Sequence, residues 1–140
     1  MECTVSWLGI DGMSFSAEVG SGHLVNMDGA PEAGGRNLAP RPMELLLAGA
    51  GGCTAFDVVM ILKKARQKIT GCRVQLEASR AESDPKVFTH INMKFIVTGK
   101  DLDASRVSQA VALSHDKYCS ATIMLGKTAQ ITHSIEIEES

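Results

Sequence analysis

Apolar and polar side chains alternate through residues 3–8 (Cys-Thr-Val-Ser-Trp-Leu) and again through 13–19 (Met-Ser-Phe-Ser-Ala-Glu-Val). That is the period of strands with one wet face. Gly9-Ile10-Asp11-Gly12 between them is a hairpin signal. A third strand is predicted over 23–27, after the Gly20-Ser21-Gly22 turn. Residues 28–41 lose the alternation and hold Pro31, Gly34, Gly35 and Pro40. They form a long loop, of a length often functional in compact domains. The loop delivers Arg36 and Arg41 just ahead of the next element.

From residue 42 the pattern changes again. Between Leu45 and Leu62 the one charged residue is Asp57, and apolar side chains go all round. This predicts a helix buried on every side, spanning 42–68 and about 40 Å long. Pro42 suits its first position. Glu44 near the start and Lys63, Lys64, Arg66 and Lys68 near the end complement the helix dipole, and Gly71 is the expected stop. Gly49, Gly51 and Gly52 cost the helix roughly 1 kcal/mol each relative to alanine. Close approach of another backbone is the expected compensation. Cys53 sits in the waist of this rod.

Beyond it, 72–79 alternates without error, Ser83-Asp84-Pro85 turns the chain, and 87–98 returns with Ile91, Met93, Phe95 and Val97 on one face. A second helix starts at a cap supplied by Asp101 or Asp103. Its inner stripe is Val107, Ala110, Val111 and Ser114. His115 to Cys119 follows, then a short helical or irregular piece over 120–127. A last strand over 129–138 puts Ile131, His133, Ile135 and Ile137 on one side. This order predicts antiparallel sheet in a single α+β domain, 1–140. Its parts are N-terminal strands and loop (1–41), central helix (42–70), and the remaining sheet, second helix pair and last strand (71–140).

A net charge of −2 gives no sign of nucleic-acid binding. The first residues lack the basic and apolar regions of a signal peptide. Asp57 and the glycines argue against a membrane span in the long helix, so a soluble, cytoplasmic protein without membrane or nucleic-acid partners is expected. The four cysteines are widely separated, with no Cys-x-x-Cys. They predict neither a disulfide framework nor a zinc site, and no metal is expected. Cys3 and Cys72 fall in strand alternation and read as buried apolar thiols. His133 reads as a core histidine and His115 as a surface one.

The segment Arg41-Pro42-Met43-Glu44-Leu45-Leu46-Leu47-Ala48-Gly49-Ala50-Gly51-Gly52-Cys53-Thr54-Ala55-Phe56-Asp57 resembles the first-cysteine helix of the OsmC/Ohr family of osmotically inducible and organic-hydroperoxide-resistance proteins. His115-Asp116-Lys117-Tyr118-Cys119-Ser120 resembles its second-cysteine segment. Gly52-Cys53-Thr54-Ala55 and Phe88-Thr89-His90-Ile91-Asn92 are most similar to the OsmC-like subgroup. The resemblance covers nearly the whole chain. It implies an intertwined homodimer, with antiparallel sheets around two central helices. It also implies a thiol peroxidase acting on organic hydroperoxides, with Cys53 attacking and Cys119 resolving. No bound cofactor is implied, only an external dithiol, lipoyl-type or small, that restores both thiols.

A peroxidatic cysteine must be a thiolate, and Cys53 lies too deep in its helix for much help from the dipole. The family supplies an arginine, held by a glutamate in the helix's first turn. Here Arg36 is the first candidate for that cation, Arg41 the second, and Glu44 the holder. In the family the glutamate directly follows the proline, where this chain has Met43. Glu44 stands one place later, about 100° around the helix. Leu46, Leu47, Phe56 and Met60 are the expected apolar seat for an organic peroxide. Asp57, four residues after Cys53, has two readings. Either it is a buried carboxylate paired with a cation or loop N–H groups, or it opposes ionisation of Cys53. The alternative function is the same fold without turnover, as a small-ligand binder or redox sensor.

Overall fold

The computed structural model describes residues 1–9 and 11–140; Ile10, in the first predicted turn, lies outside the described residues. The chain divides into two compact units, Met1–Leu47 and Ala48–Ser140, with the boundary inside the long helix.

In the first unit, β1 (Cys3–Trp7), β2 (Phe15–Val19) and β3 (Leu24–Met27) form an antiparallel sheet in that order. Val5 pairs with Ala17 and Phe15 with Met27, so the apolar residues share one face. Edge strand β1 is nonetheless exposed along its whole length. Cys3, expected to be buried, is exposed with it. The loop after β3 is organised by Asp28, only 1 % exposed. Its carboxylate accepts N–H bonds from Gly29 (2.8 Å), Arg36 (3.2 Å) and Leu38 (3.1 Å). These bonds, led by the one from Leu38, hold the acid below its ordinary pKa. Gly35 crosses Gly29 so closely that a Cβ there would lie 1.8 Å from the Gly29 carbonyl oxygen, so only glycine fits.

Helix α1 runs Pro42–Lys64, ending before the predicted stop. Arg66 N–H bonds the Lys63 carbonyl (3.0 Å) and Gln67 N–H the Leu62 carbonyl (2.9 Å). Arg66 itself takes the left-handed conformation (φ 57°). This is a Schellman closure with arginine in the position glycine usually fills. Gly71 instead lies inside the next strand, at a bulge.

In the second unit, β4 (Lys68–Arg80) and β5 (Phe88–Lys100) are antiparallel, and β6 (Gln130–Glu139) pairs with β5 in parallel. The sheet is therefore mixed rather than wholly antiparallel. The reason is the long crossover between β5 and β6, which brings the chain back to start β6 at the same end. It contains α2 (Ala104–Leu113), a wide helical turn (Ser114–Tyr118) and α3 (Ser120–Leu125). Of the two candidate caps for α2 it is Asp103 that serves, accepting N–H bonds from Ser105 (2.9 Å) and Arg106 (3.4 Å). The core is the predicted face of β5 (Ile91, Met93, Phe95, Val97) with Val58 and Leu62 of α1 and Val107, Ala110 and Val111 of α2. None is more than 2 % exposed.

Candidate active site around two cysteines

Helix α1 is not buried all round. Its buried residues are Ala50, Gly51, Thr54, Asp57, Val58 and Leu62, which at about 100° per residue make one stripe. Leu46, Phe56 and Met60 are exposed on the other side. Gly49 and Gly52 lie among them with open space where a Cβ would stand. The expected close approach occurs at Gly51 only, and a side chain makes it: a Cβ there would meet Leu76 Cδ1 at 2.7 Å. Of the four residues expected to seat an apolar substrate, Leu46, Phe56 and Met60 share the open stripe. Leu47 is turned to the other side and half-buried. Cys53, half-exposed, stands between the open stripe and Asp57.

Cys119 reaches the same place from α2. The inner stripe of α2 ends at Ser114, fully buried. There the helix widens by one residue: Cys119 N–H donates to the Ser114 carbonyl at 2.9 Å, five residues back. The thiol of Cys119 is fully buried and caps α3, accepting the Thr122 N–H at 3.4 Å. Burial pushes this thiol up. The bonds from Thr122 oppose the shift, and the neighbouring Cys53 thiol adds to it. The two sulfurs are therefore neighbours, one half-open and one sealed, and both are free thiols.

Beneath them lies a group that the sequence does not announce. Ser114 Oγ donates to Asp57 Oδ2 at 2.9 Å, and Thr54 Oγ1 stands 2.8 Å from Ser114 Oγ. Ser114 has one proton and gives it to Asp57, so Thr54 donates in the second bond. All three residues are buried. The partner of Asp57 is thus a hydroxyl, neither a cation nor loop N–H groups. The available signal was Ser114 itself, a polar residue closing an apolar stripe.

The loop arginines are each engaged within the first unit. Arg36 donates to the Asp11 carbonyl at 2.7 Å. Arg41 N–H and guanidinium both bond Glu44, at 3.0 and 3.2 Å. Glu44, at the third helical position, thereby returns a bond to the residue before the helix, as in one half of a capping box. It is drawn below its ordinary pKa, chiefly by that backbone bond. Glu44 holds Arg41, then, and not Arg36. His133 corrects another expectation, being exposed, with its ring 5.3 Å from that of His115 and 6.4 Å from Phe95. Desolvation and then the charge of His115 lower its pKa. Among the described residues no three His, Cys, Asp or Glu side chains converge as metal ligands do.

One thiol thus stands on a glycine-rich central helix and the other after a second helix, one half-exposed and one buried. The chain belongs to the OsmC-like protein family, whose model matches residues 34–134. It is similar to Protein YhfA of Escherichia coli K12, 49 % identical over 137 residues, 98 % of each chain. Among solved structures, one determined in structural genomics is 46 % identical, with a TM-score of 0.90 over the full length of both chains. At the level of fold alone the likeness extends to the organic hydroperoxide resistance protein OhrB of Bacillus subtilis. There the TM-score is 0.63 at 20 % identity, over 97 % of this chain and 98 % of that one.

Proposed function

We propose that the protein is a thiol-dependent peroxidase that reduces organic hydroperoxides. The observation that carries this reading is the half-open Cys53 beside the sealed Cys119. The Cys53 thiolate attacks the terminal peroxide oxygen and becomes a sulfenic acid. The alkoxide takes a proton and leaves as the alcohol. Cys119 then attacks the sulfenic sulfur, forming the disulfide and releasing water. An external dithiol returns both thiols by exchange and is itself oxidised to a disulfide. The exposed apolar stripe suits an organic tail better than hydrogen peroxide does. A second copy of the chain covers the rest of that stripe and the bare apolar side of β1, giving a homodimer.

The test is consumption of cumene hydroperoxide with dithiothreitol as reductant. Cys53→Ser is expected to abolish turnover, and Cys119→Ser, with the dithiol withheld, to consume one equivalent of peroxide and hold Cys53 as sulfenic acid. Undiminished rates in Cys53→Ser sink the reading. The family's arginine is gripped by its glutamate, and here Glu44 grips Arg41. Arg41→Ala is therefore expected to slow peroxide consumption more than Arg36→Ala.

A further inference from the structure

We infer that Asp57, Ser114 and Thr54 form a positioning latch, which fixes the Cys119 turn against the Cys53 helix and so sets how readily the two thiols join. The inference deepens the two-thiol reading and takes from it only which thiols matter. None of the three residues is assigned a part in the reaction above.

The geometry is that of a clamp through one residue. Thr54 and Asp57 follow Cys53 by one and four positions and ride the same turn of α1. Ser114 binds both through its hydroxyl (2.8 and 2.9 Å) and binds Cys119 N–H through its carbonyl (2.9 Å). Beside the contact of the two thiols, a hydrogen-bonded path through Ser114 therefore joins the two cysteine segments. The turn it opens is of the rare i+5 kind, which is less favourable than regular helix and recurs at functional sites. Such a turn persists where its surroundings over-determine it.

Energetics point the same way. Asp57 is 9 % exposed, Thr54 1 % and Ser114 fully buried, so a carboxylate has been taken out of water with a hydroxyl as its partner. Burying an acid is a costly way to gain stability, and an apolar trio of similar volume would do as well or better. What the arrangement supplies is a fixed distance and direction. It holds the Cys119 backbone in place while the thiol must move from a neighbour's spacing to a bonded one, at which the Cβ atoms approach to about 4 Å.

The test bypasses peroxide. The full chain is equilibrated in buffers of oxidised and reduced dithiothreitol, and the Cys53–Cys119 disulfide is read by peptide mass. In this exchange the two thiols give up two protons and two electrons, and oxidised dithiothreitol takes them to become the reduced dithiol. The wild type is expected to form the disulfide. Ser114→Ala and Asp57→Ala are expected to shift the equilibrium constant about tenfold toward the dithiol, the scale of one lost hydrogen bond to a charged group. Asp57→Asn, whose amide oxygen still accepts the Ser114 proton, is expected to recover most of that loss.

The latch is overturned if Ser114→Ala keeps the wild-type equilibrium, if Asp57→Asn is as impaired as Asp57→Ala, or if the wild type forms no such disulfide. Should Ser114→Ala lose its far-UV circular dichroism, Thr54→Val is read instead. A shift toward the dithiol supports the latch, and an unchanged value overturns it. Loss of peroxide turnover with these shifts intact would sink the peroxidase reading alone. Normal turnover with no shifts would sink the latch alone.

Discussion

The two sides of α1 are made of nearly the same residues and do opposite things. On one, Ala50, Val58 and Leu62 are sealed in the core, and Gly51 lets Leu76 approach closely. On the other, Leu46, Phe56 and Met60 stand open, and Gly49 and Gly52 face empty space. Hydrophobicity alone does not distinguish them, so it decides that the helix is buried somewhere and not by what. The sealed side is held by this chain's own sheet and second helix, whereas the open side is left exposed. The cysteine that faces the boundary inherits both environments.

The largest effects should separate the two sides outright. Val58→Asp places an unpaired charge in the core and is expected to cost more than about 4 kcal/mol, enough to abolish the cooperative thermal transition. Phe56→Asp is expected to leave that transition in place while turning the proposed dimer into a monomer, read by sedimentation. A monomeric wild type would break the comparison. Next come truncations. Leu62→Ala should cost about 2–5 kcal/mol in urea unfolding, while Met60→Ala should leave protomer stability nearly unchanged and weaken self-association. Smaller still, Gly49→Ala and Gly52→Ala should each favour the isolated helix by about 1 kcal/mol yet weaken self-association, if the proposed dimer packs on the open space that each added methyl would enter. A gain in stability with no change in association would assign that face to solvent.

The smallest effect lies at the start of the helix. Glu44 is held below its ordinary pKa of 4.5 by the Arg41 N–H and then by the Arg41 side chain. A depressed acid stabilises the fold above its unfolded pKa, and that contribution is lost as pH falls through the folded value. Thermal melts between about pH 6 and about pH 3 should therefore show a shallower acid dependence in Glu44→Gln than in the wild type. Parallel curves would mean that the carboxylate adds nothing.

Much of the fold is legible in the sequence wherever one face is wet. Alternation locates β1, β2 and β5 because each has a polar side to contrast with its apolar one. The stripe of α2 and its Asp103 cap emerge for the same reason. The long helix resists because it offers no contrast, so the partition into sealed and open sides depends on what packs against it. The parallel course of β6 depends on where a long crossover ends, which no local pattern records. Arg66 in a left-handed position hides the helix end, since composition points to glycine. At the candidate site the two cysteines stand out by motif, whereas Ser114 joins Asp57 only in three dimensions.

The chain carries one tryptophan and one tyrosine, and they fall in different units. Trp7 is on β1, its indole N–H bonded to the Gly12 carbonyl at 3.0 Å. Tyr118 is the residue before Cys119, exposed, with the Lys117 ammonium 5.3 Å from its ring centre. Each unit thus has its own built-in chromophore. Indole emission follows the first sheet, and phenol absorbance follows the turn that carries the second thiol. Changes in one half and in the other can be followed by different probes in the same unlabelled sample.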